Sequence, residues 1–459
     1  MNGTQNTCLT LASLDPPPGA PVITPTDQQG EAIARAVEWY HGGDSKVFRL
    51  FGYAGTGKTT LAKHIVAELG ITQVIYAAYT GKAAYVLRTK GCAGARTIHS
   101  LIYRPKASAL AELTELEDQL EKLDPRDPET PIERQRLMAK IEELRAKLAK
   151  PTFILREPDD CDLTEASLLV LDEASMVDAT MARDLLSFGT KILVLGDPMQ
   201  LPPISGYGYF TDARPDYLLT EIHRSALDSP VTRIATRIRY AQPGDALYGC
   251  PGPDGDSGRY GGLAISHLAT FDQTLVWSNR MRWTLINRLR AYLGRPPGVP
   301  VPGDRVIVLA NNKTLQVFNG QQLDVQAVKP NEQRPTEVLD LIALTDELTL
   351  VKLPVFAAGF VNRDGEQQVT ERGRDGAVAA ATFGQVVTVH KSQGSQWDRV
   401  LVAENLNGML WAEYKRRQAS AVTDAAARLE AYQHCQRWLY TAVTRAAQQV
   451  VIVPEGGVQ

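Results

Sequence analysis

Gly52, Gly57, Lys58 and Thr59 stand in the run GYAGTGKTT (52–60) at the spacing Gly-x-x-x-x-Gly-Lys-Thr. Glycines at these positions let backbone N–H groups turn towards phosphate oxygens, and a helix starting there adds partial positive charge. The lysine reaches the β- and γ-phosphates, and the hydroxyl that follows it holds Mg²⁺. Gly52, Gly55, Thr56, Gly57, Lys58, Thr59 and Thr60 are therefore the candidate contacts to a nucleoside triphosphate. A glycine-rich turn that binds nothing has no need of the lysine, the threonine and the flanking strand and helix together. A second acidic motif follows in LLVLDEASMVD (168–178), where an apolar run ends in Asp172 and Glu173. Such a pair suits metal-assisted hydrolysis, with Asp172 on the Mg²⁺ shell and Glu173 orienting or deprotonating the attacking water. These residues alone leave kinase, GTPase and motor ATPase open.

The elements that must position them are legible from the spacing of apolar residues. Short apolar runs at 47–51, 73–78, 168–172 and 192–196 read as buried strands alternating with helices, the pattern of a parallel sheet covered on both faces. A second alternation begins near 212. It predicts helices over 230–240, 281–293 and 427–445, and strands over 274–277, 385–389, 400–403 and 450–453. The expected fold class is therefore α/β, with two parallel-sheet domains. The second is interrupted over 304–384 by short strands at 305–309, 322–328, 338–344 and 348–353, with no helix evident, which fits a small β-barrel. The Gly- and Pro-rich run at 251–262 reads as a surface loop. The first domain is interrupted as well. Leu113, Leu116, Leu120 and Leu123, then Leu137, Ile141, Leu144 and Leu148, give two helical arms joined by DPRDPETP, an antiparallel hairpin. The first arm is acidic and the second basic, so the charges are expected to pair across the hairpin and stay solvated.

Bulk properties narrow the classes. The chain has 459 residues, 44% hydrophobic and 22% charged, which is ordinary for a globular protein of two to four domains. The net charge of −3 means that any grip on nucleic acid must be a local groove and not a whole-protein field. Five cysteines without a C-x-x-C pair argue against a disulfide framework or zinc site and for a reducing cytoplasm. Nothing resembles a membrane span of about 20 apolar residues. The first residues, 1–20, lack Lys and Arg and read as a loose tail, not a signal peptide.

The motif ILVLGDPMQLPPI (192–204) makes the resemblance specific. Its GD-x-x-QLPP resembles motif III of superfamily 1 helicases, and the rest of their set follows in order. TPTDQQGEAI resembles the Q motif, TGKAAYVLRTKG motif Ia and ARTIHSLIY the stretch after it. LTEIHRS resembles motif IV, VFNGQQLDV the segment that enters the accessory barrel, TVHKSQGSQWDRV motif V and WLYTAVTRA motif VI. The chain is most similar to the 5′-to-3′ branch, RecD-like and phage Dda-like, over roughly residues 20–455. The resemblance implies two RecA-like domains with MgATP between them and single-stranded DNA, or a single-strand/duplex junction, across their top. The first would span 21–210, with a helical-hairpin insertion at 104–160. The second would comprise 211–303 and 385–459, with an SH3-like barrel at 304–384. The resemblance implies Gln29 as adenine reader, Gln200 as reporter of the γ-phosphate, and Arg224 and Arg445 as arginine fingers. Gly394 and Gln396 of motif V would flank the nucleotide, although Gln396 stands where relatives often carry an acidic residue. Thr80, Lys82, Thr97, His99, Thr388, His390 and Lys391 match positions that hold the DNA backbone. His99 and His390 have a structural alternative as buried packing residues, and Trp397 is expected in the core. The hairpin is expected to dock a protein partner or guide duplex. A motor subunit without strong unwinding of its own is the main alternative to a helicase, with a degenerate scaffold behind it. Nuclease chemistry has no acidic cluster to support it, and RNA stays open as a substrate.

Overall fold

The computed structural model describes residues 25–104, 116, 119, 136–141, 154–202, 208–222, 228–245, 256–312, 314–345, 349–373, 376–418 and 423–459. The first body contains, in chain order, α1 (Asp27–Gly42), β1 (Val47–Gly52), α2 (Lys58–Leu69), β2 (Val74–Ala78), α3 (Gly81–Thr89), β3 (Arg96–Thr97), α4 (Ile98–Ile102), β4 (Tyr103–Arg104), β5 (Ile154–Leu155), α5 (Asp162–Glu165), β6 (Leu168–Asp172), α6 (Ala179–Ser187), β7 (Ile192–Gly196) and β8 (Tyr217–Leu219). Strands pair in parallel in the order β3-β2-β6-β7-β1-β8. Alternate side chains feed two cores. Leu168, Val170, Leu193 and Leu195 pack with Ala32 and Ala36 of α1 and with Leu61 and Ile65 of α2. Leu169, Leu171, Ile192 and Val194 pack with Ile98 and Leu101 of α4 and with Met181 and Leu185 of α6. Burial on both faces is why these strands are continuous apolar runs.

β8 lies later than the expected boundary at 210. Tyr217–Leu219 pair with Leu50–Gly52 at the sheet edge, and the Arg49 N–H donates to Asp216 Oδ2 (2.7 Å), which fixes the register. The chain therefore leaves the first sheet only after residue 219. At the root of the first insertion β4 and β5 form a short antiparallel ladder, Tyr103 opposite Leu155 and Arg104 opposite Ile154. Residues 116, 119 and 136–141 are helical, and Leu116 and Ile141 are buried. The rest of the leucine arms and the turn between them lie outside the described residues.

The second body continues with α7 (Pro230–Tyr240), β9 (Gly258–Arg259), β10 (Gln273–Val276), α8 (Asn279–Tyr292), β11 (Arg305–Val308), β12 (Gln322–Pro330), β13 (Val338–Thr345), β14 (Leu350–Phe356), α9 (Arg363–Arg372), β15 (Ala381–Phe383), β16 (Val386–Thr388), β17 (Trp397–Glu404), α10 (Leu406–Gln418), α11 (Asp424–Val443) and β18 (Ala446–Pro454). Its parallel sheet has the order β16-β10-β17-β18-β9. β9 corrects part of the surface loop expected at 251–262, because Gly258 and Arg259 pair with Val451 and Ile452 and Ser257 is fully buried. Trp397 opens β17 half-buried, packs against the second core and donates from Nε1 to Gln322 Oε1 (3.3 Å).

Between α8 and β16 an antiparallel sheet is inserted in the order β14-β13-β12-β11-β15. Its far edges meet where Val355 bridges Ala379 and the Ala379 N–H donates to Pro354 O (2.8 Å), so the sheet curls on itself. The expectation of no helix in this segment fails at α9. Its sequence, RDGEQQVTER, offers only Val369 as a buried apolar residue, so no apolar periodicity announces it. Asn362 caps it by accepting from the Gly365 N–H (2.9 Å). Glu366 anchors it through Arg282 of α8 at 2.5 Å, a buried ion pair. Arg282 also donates to the Val386 and Phe383 carbonyls (3.0 and 2.8 Å), tying the insertion to the parent sheet. Among the described residues no helix is long and apolar enough to cross a membrane.

Candidate active site

β1 delivers the phosphate loop at its C-terminal end and α2 begins at Lys58. Gly55 and Gly57 sit at φ 82° and 77°, in the left-handed region where a β-carbon is costly, which lets the loop wrap. Lys58 Nζ donates to Gly52 O (2.7 Å) and Tyr53 O (3.2 Å), so the ammonium lies folded over its own loop. Thr59 Oγ1 donates to Asp172 Oδ2 (3.0 Å) at the end of β6. Burial pushes the Asp172 carboxyl above its ordinary range, and the neighbouring Glu173 charge adds to this. A half-buried carboxylate and a hydroxyl side by side at the loop form a donor set that fits a hard divalent cation such as Mg²⁺. Glu173 itself adopts φ 54°, a left-handed conformation that a non-glycine residue holds only where its surroundings enforce it.

The wall opposite comes from the second body. Arg445 lies just past the C-terminus of α11, not inside the helix, and is 5% exposed. Its Nε donates to Thr441 O (3.2 Å) and its Nη1 to Ser395 O (3.3 Å), and Nη1 stands 4.0 Å from Glu173 Oε1. The Gln200 carboxamide satisfies both neighbours in one orientation, its nitrogen donating to Glu173 Oε2 (3.0 Å) and its oxygen accepting from Arg445 Nη2 (3.2 Å). Glu173, Gln200 and Arg445 thus form a triangle across the gap between the bodies. They enclose a cavity of about 580 Å³ with Gln29, Gly55, Gly57, Lys58, Thr59, Thr60, Asp172, Gly394 and Gln396 in its wall.

Two loop residues expected to touch nucleotide are not in that wall. Thr56 is buried, its hydroxyl donating to Tyr53 O (2.9 Å) and its carbonyl accepting from Gln29 Nε2 (3.3 Å). Gly52 lies behind the loop, where a β-carbon would come within 2.5 Å of Thr56 Oγ1. Both shape the loop from beneath. Gln29 reaches the wall while sharing a capping box with Thr26 at the start of α1. Arg224 lies outside the described residues. The chain leading to it is tethered, since Gln28 Oε1 accepts from the Thr220 and Glu221 N–H groups (2.9 and 3.0 Å).

The residues matched to DNA contacts have internal partners. Thr80 caps α3 by accepting from the Ala83 N–H (3.1 Å), and Thr97 caps α4 by accepting from the Ser100 N–H (3.2 Å). Lys82 Nζ stands 5.4 Å from the Tyr85 ring centroid. The His99 ring lies between Tyr79 and Tyr103, and burial holds its pKa below the usual value. Thr388 is buried in β16. His390 is pushed down to about 4, by burial first and by the adjacent His434 second. Lys391 Nζ pairs with Glu366 Oε1 (2.6 Å), the carboxylate already shared with Arg282.

Sequence reasoning missed polar residues that join the two bodies. Tyr440 Oη accepts from the Ala54 N–H and donates to Asp197 Oδ2, both at 2.9 Å. Thr441 Oγ1 accepts from the Leu201 N–H (2.9 Å), and Gln393 Nε2 donates to Leu201 O (2.9 Å). Two hydroxyl side chains inside the apolar run WLYTAV were the available signal.

A phosphate loop, an Asp–Glu strand end beside it and an arginine facing them from a second parallel sheet define a P-loop ATPase whose cleft is completed by two bodies. Residues 26–249 match the family described as an AAA domain. No curated protein matches the chain. Among solved structures the chain is similar to that of two coordinating Pif1 helicases unwinding forked dsDNA, at 17% identity over 95% of this chain and 94% of that one, with a TM-score of 0.47. It is similar to the Bacteroides Pif1 helicase in complex with ADP-AlF3 and ssDNA at 17% identity, 95% of each chain and a TM-score of 0.46. The Candida albicans Pif1 helicase follows at 16% identity, 94% of each chain and a TM-score of 0.44.

Proposed function

We propose that the protein is an ATP-dependent DNA helicase that translocates 5′ to 3′ on single-stranded DNA and separates duplex at junctions. The observation that carries this reading is the Glu173–Gln200–Arg445 triangle, which ties the hydrolytic carboxylate to a second body. A protein that only bound nucleotide would not need a carboxylate placed for hydrolysis to face an arginine from another sheet. The order of motifs, which resembles that of superfamily 1 helicases, supplies DNA as the track.

Lys58 would leave the Gly52 and Tyr53 carbonyls for the β- and γ-phosphates. Thr59 and Asp172 would hold Mg²⁺, which when bound neutralises phosphate charge. Glu173 orients and deprotonates the attacking water. Gln200, bonded to both Glu173 and Arg445, reports the γ-phosphate. Arg445, with Arg224 as a second finger, stabilises charge that develops in phosphoryl transfer, so hydrolysis proceeds with the bodies closed. Opening and closing then step the strand past Thr80, Lys82, Thr97 and His99 on one side and Thr388, His390 and Lys391 on the other. We read the inserted curled sheet as an SH3-like barrel and the leucine arms as a hairpin that guides duplex or docks a protein partner. We place the protein in the cytoplasm, where a DNA track lies and where reduced thiols such as those of the buried Cys92 and Cys161 persist.

The deciding experiment is strand displacement on 5′-tailed against 3′-tailed duplexes, with ATPase measured in parallel. Displacement of the 5′-tailed substrate alone is the expected result. Single-strand-stimulated ATPase without displacement of either would favour a motor subunit, and preference for the 3′ tail would overturn the polarity.

A further inference from the structure

The Tyr53–Ala54 peptide in the phosphate loop is held from both sides. Its carbonyl accepts from Lys58 Nζ (3.2 Å) and Thr56 Oγ1 (2.9 Å). Its N–H donates to Tyr440 Oη (2.9 Å), which belongs to α11 of the second body. Tyr440 is 1% exposed and Asp197, to which its hydroxyl donates, is 3% exposed. Asp197 Oδ1 accepts from the Met199 N–H (2.9 Å), so the carboxylate also sets the turn that carries Gln200. Buried polar groups persist where they are satisfied, and here one phenol satisfies a loop amide and an acid at once.

Lys58 is the side chain that phosphate oxygens recruit, so occupancy of the site changes what holds the carbonyl of this peptide. The N–H of the same peptide is bonded to the second body and takes no part in that exchange. Arg239 of α7 reinforces the contact, its guanidinium 3.9 Å from the Tyr53 ring centroid. Glu173 and Gln200 reach Arg445 through separate contacts.

We propose that Tyr440 is a positioning residue that senses nucleotide occupancy through the Tyr53–Ala54 peptide and converts it into closure of the two bodies, in parallel with Arg445. The proposal rests on the ATPase reading of the cleft and is independent of the DNA track.

Tyr440→Phe keeps the ring and removes only the hydroxyl. Its test is the ratio of affinities for a non-hydrolysable ATP analogue and for ADP, both with Mg²⁺, read by displacement of a fluorescent nucleotide. Coupling between sites typically amounts to a factor of about 5 or more, so the ratio should fall by at least ~5-fold, with kcat for ATP reduced ~10-fold and KM within ~3-fold. Asp197→Asn keeps an acceptor for the phenol without its charge and should give a smaller loss of the same ratio. The double variant should be no worse than Tyr440→Phe alone, because both act on one link. A purely structural tyrosine would lower the melting temperature and leave the ratio at its wild-type value, and that result would overturn the proposal. Should Tyr440→Phe fail to fold, an unchanged ratio in Asp197→Asn would overturn it equally. A wild-type protein that binds both nucleotides but never turns over ATP would sink the ATPase reading, while the affinity ratio would still decide the role of Tyr440.

Discussion

In the nucleotide cleft, polar side chains from two sheets point at one another across a gap. Glu173, Gln200 and Arg445 meet there, and their contacts leave room for phosphate. In α3, in α4 and in the segment after β16, the polar side chains instead have partners within the protein. Thr80 and Thr97 cap helices, His99 and His390 are mostly buried, and Lys391 is neutralised by Glu366. The difference teaches what each task demands. Transfer of a phosphoryl group needs charges preorganised at fixed points. Holding a strand without reading its sequence needs only backbone amides, hydroxyls and a few charges, many of which have structural work as well.

The comparison is tested hardest at Arg445. Arg445→Ala should lower single-strand-stimulated kcat by roughly 10³-fold, the lower end of what an arginine finger contributes, with much less effect on ATP binding. Lysine at this position should rescue poorly, because its point charge cannot reproduce bonds to Thr441, Ser395 and Gln200 together. A variant with full maximal rate and only weaker nucleotide binding would return Arg445 to a structural role. Glu173→Gln comes next. It should still bind MgATP through Lys58, Thr59 and Asp172, while turnover falls by about 10²-fold, the scale of a lost acid–base group. Steady-state ATPase alongside nucleotide titration checks both.

The same contrast explains what was legible in the sequence. Lys58, Thr59, Asp172 and Glu173 sit in motifs whose spacing is dictated by chemistry, the apolar runs around them fix the strands, and Gln200 is legible only through the resemblance. Arg445 could be assigned by resemblance, but its position two residues beyond α11 could not, since helix ends rest on single capping contacts. α9 was hidden because Glu366, not an apolar stripe, anchors it. β8 and β9 were hidden because two- or three-residue edge strands carry too little pattern to be distinguished from loops. Tyr440 is not legible in the sequence, because a tyrosine in an apolar helix reads as packing until a partner appears across the domain boundary.

Histidine titration sharpens the assignment on the strand side. Burial pushes the His390 pKa down to about 4, well below its ordinary 6.5, with His434 and Glu413 as its ionisable neighbours. Between those two values the unfolded chain binds more protons, so stability should fall as pH drops from about 6.5 towards 4 and then level off. Burial lowers the His434 pKa as well, so it contributes with the same sign. Denaturant melts at pH 7, 6 and 5 should show this loss, and His390→Asn should reduce it. If His390 were instead free to meet phosphate, protonation would strengthen single-strand binding across the same range, and the variant would abolish that gain.

The smallest expected effect is at Thr97. Its Oγ1 accepts from the Ser100 N–H (3.2 Å) and donates its only proton to Ser100 Oγ (3.1 Å). A hydroxyl has one hydrogen, so while this turn is intact Thr97 has none to offer a phosphate. Thr97→Ala should therefore cost about 1 kcal/mol of stability, the usual worth of an N-cap, and Thr97→Asn should recover most of it. Single-strand affinity at fixed salt should change by less than about 2-fold in both, since the hydroxyl is engaged in the helix cap and a strand can be held through backbone amides. Fluorescence anisotropy over a salt series would expose the opposite case. A lost phosphate contact reduces the log–log salt slope by about 0.7. Were Thr97→Ala to show that reduction while its melting behaviour stayed at the wild-type value, the hydroxyl would belong to the strand and not to the helix cap.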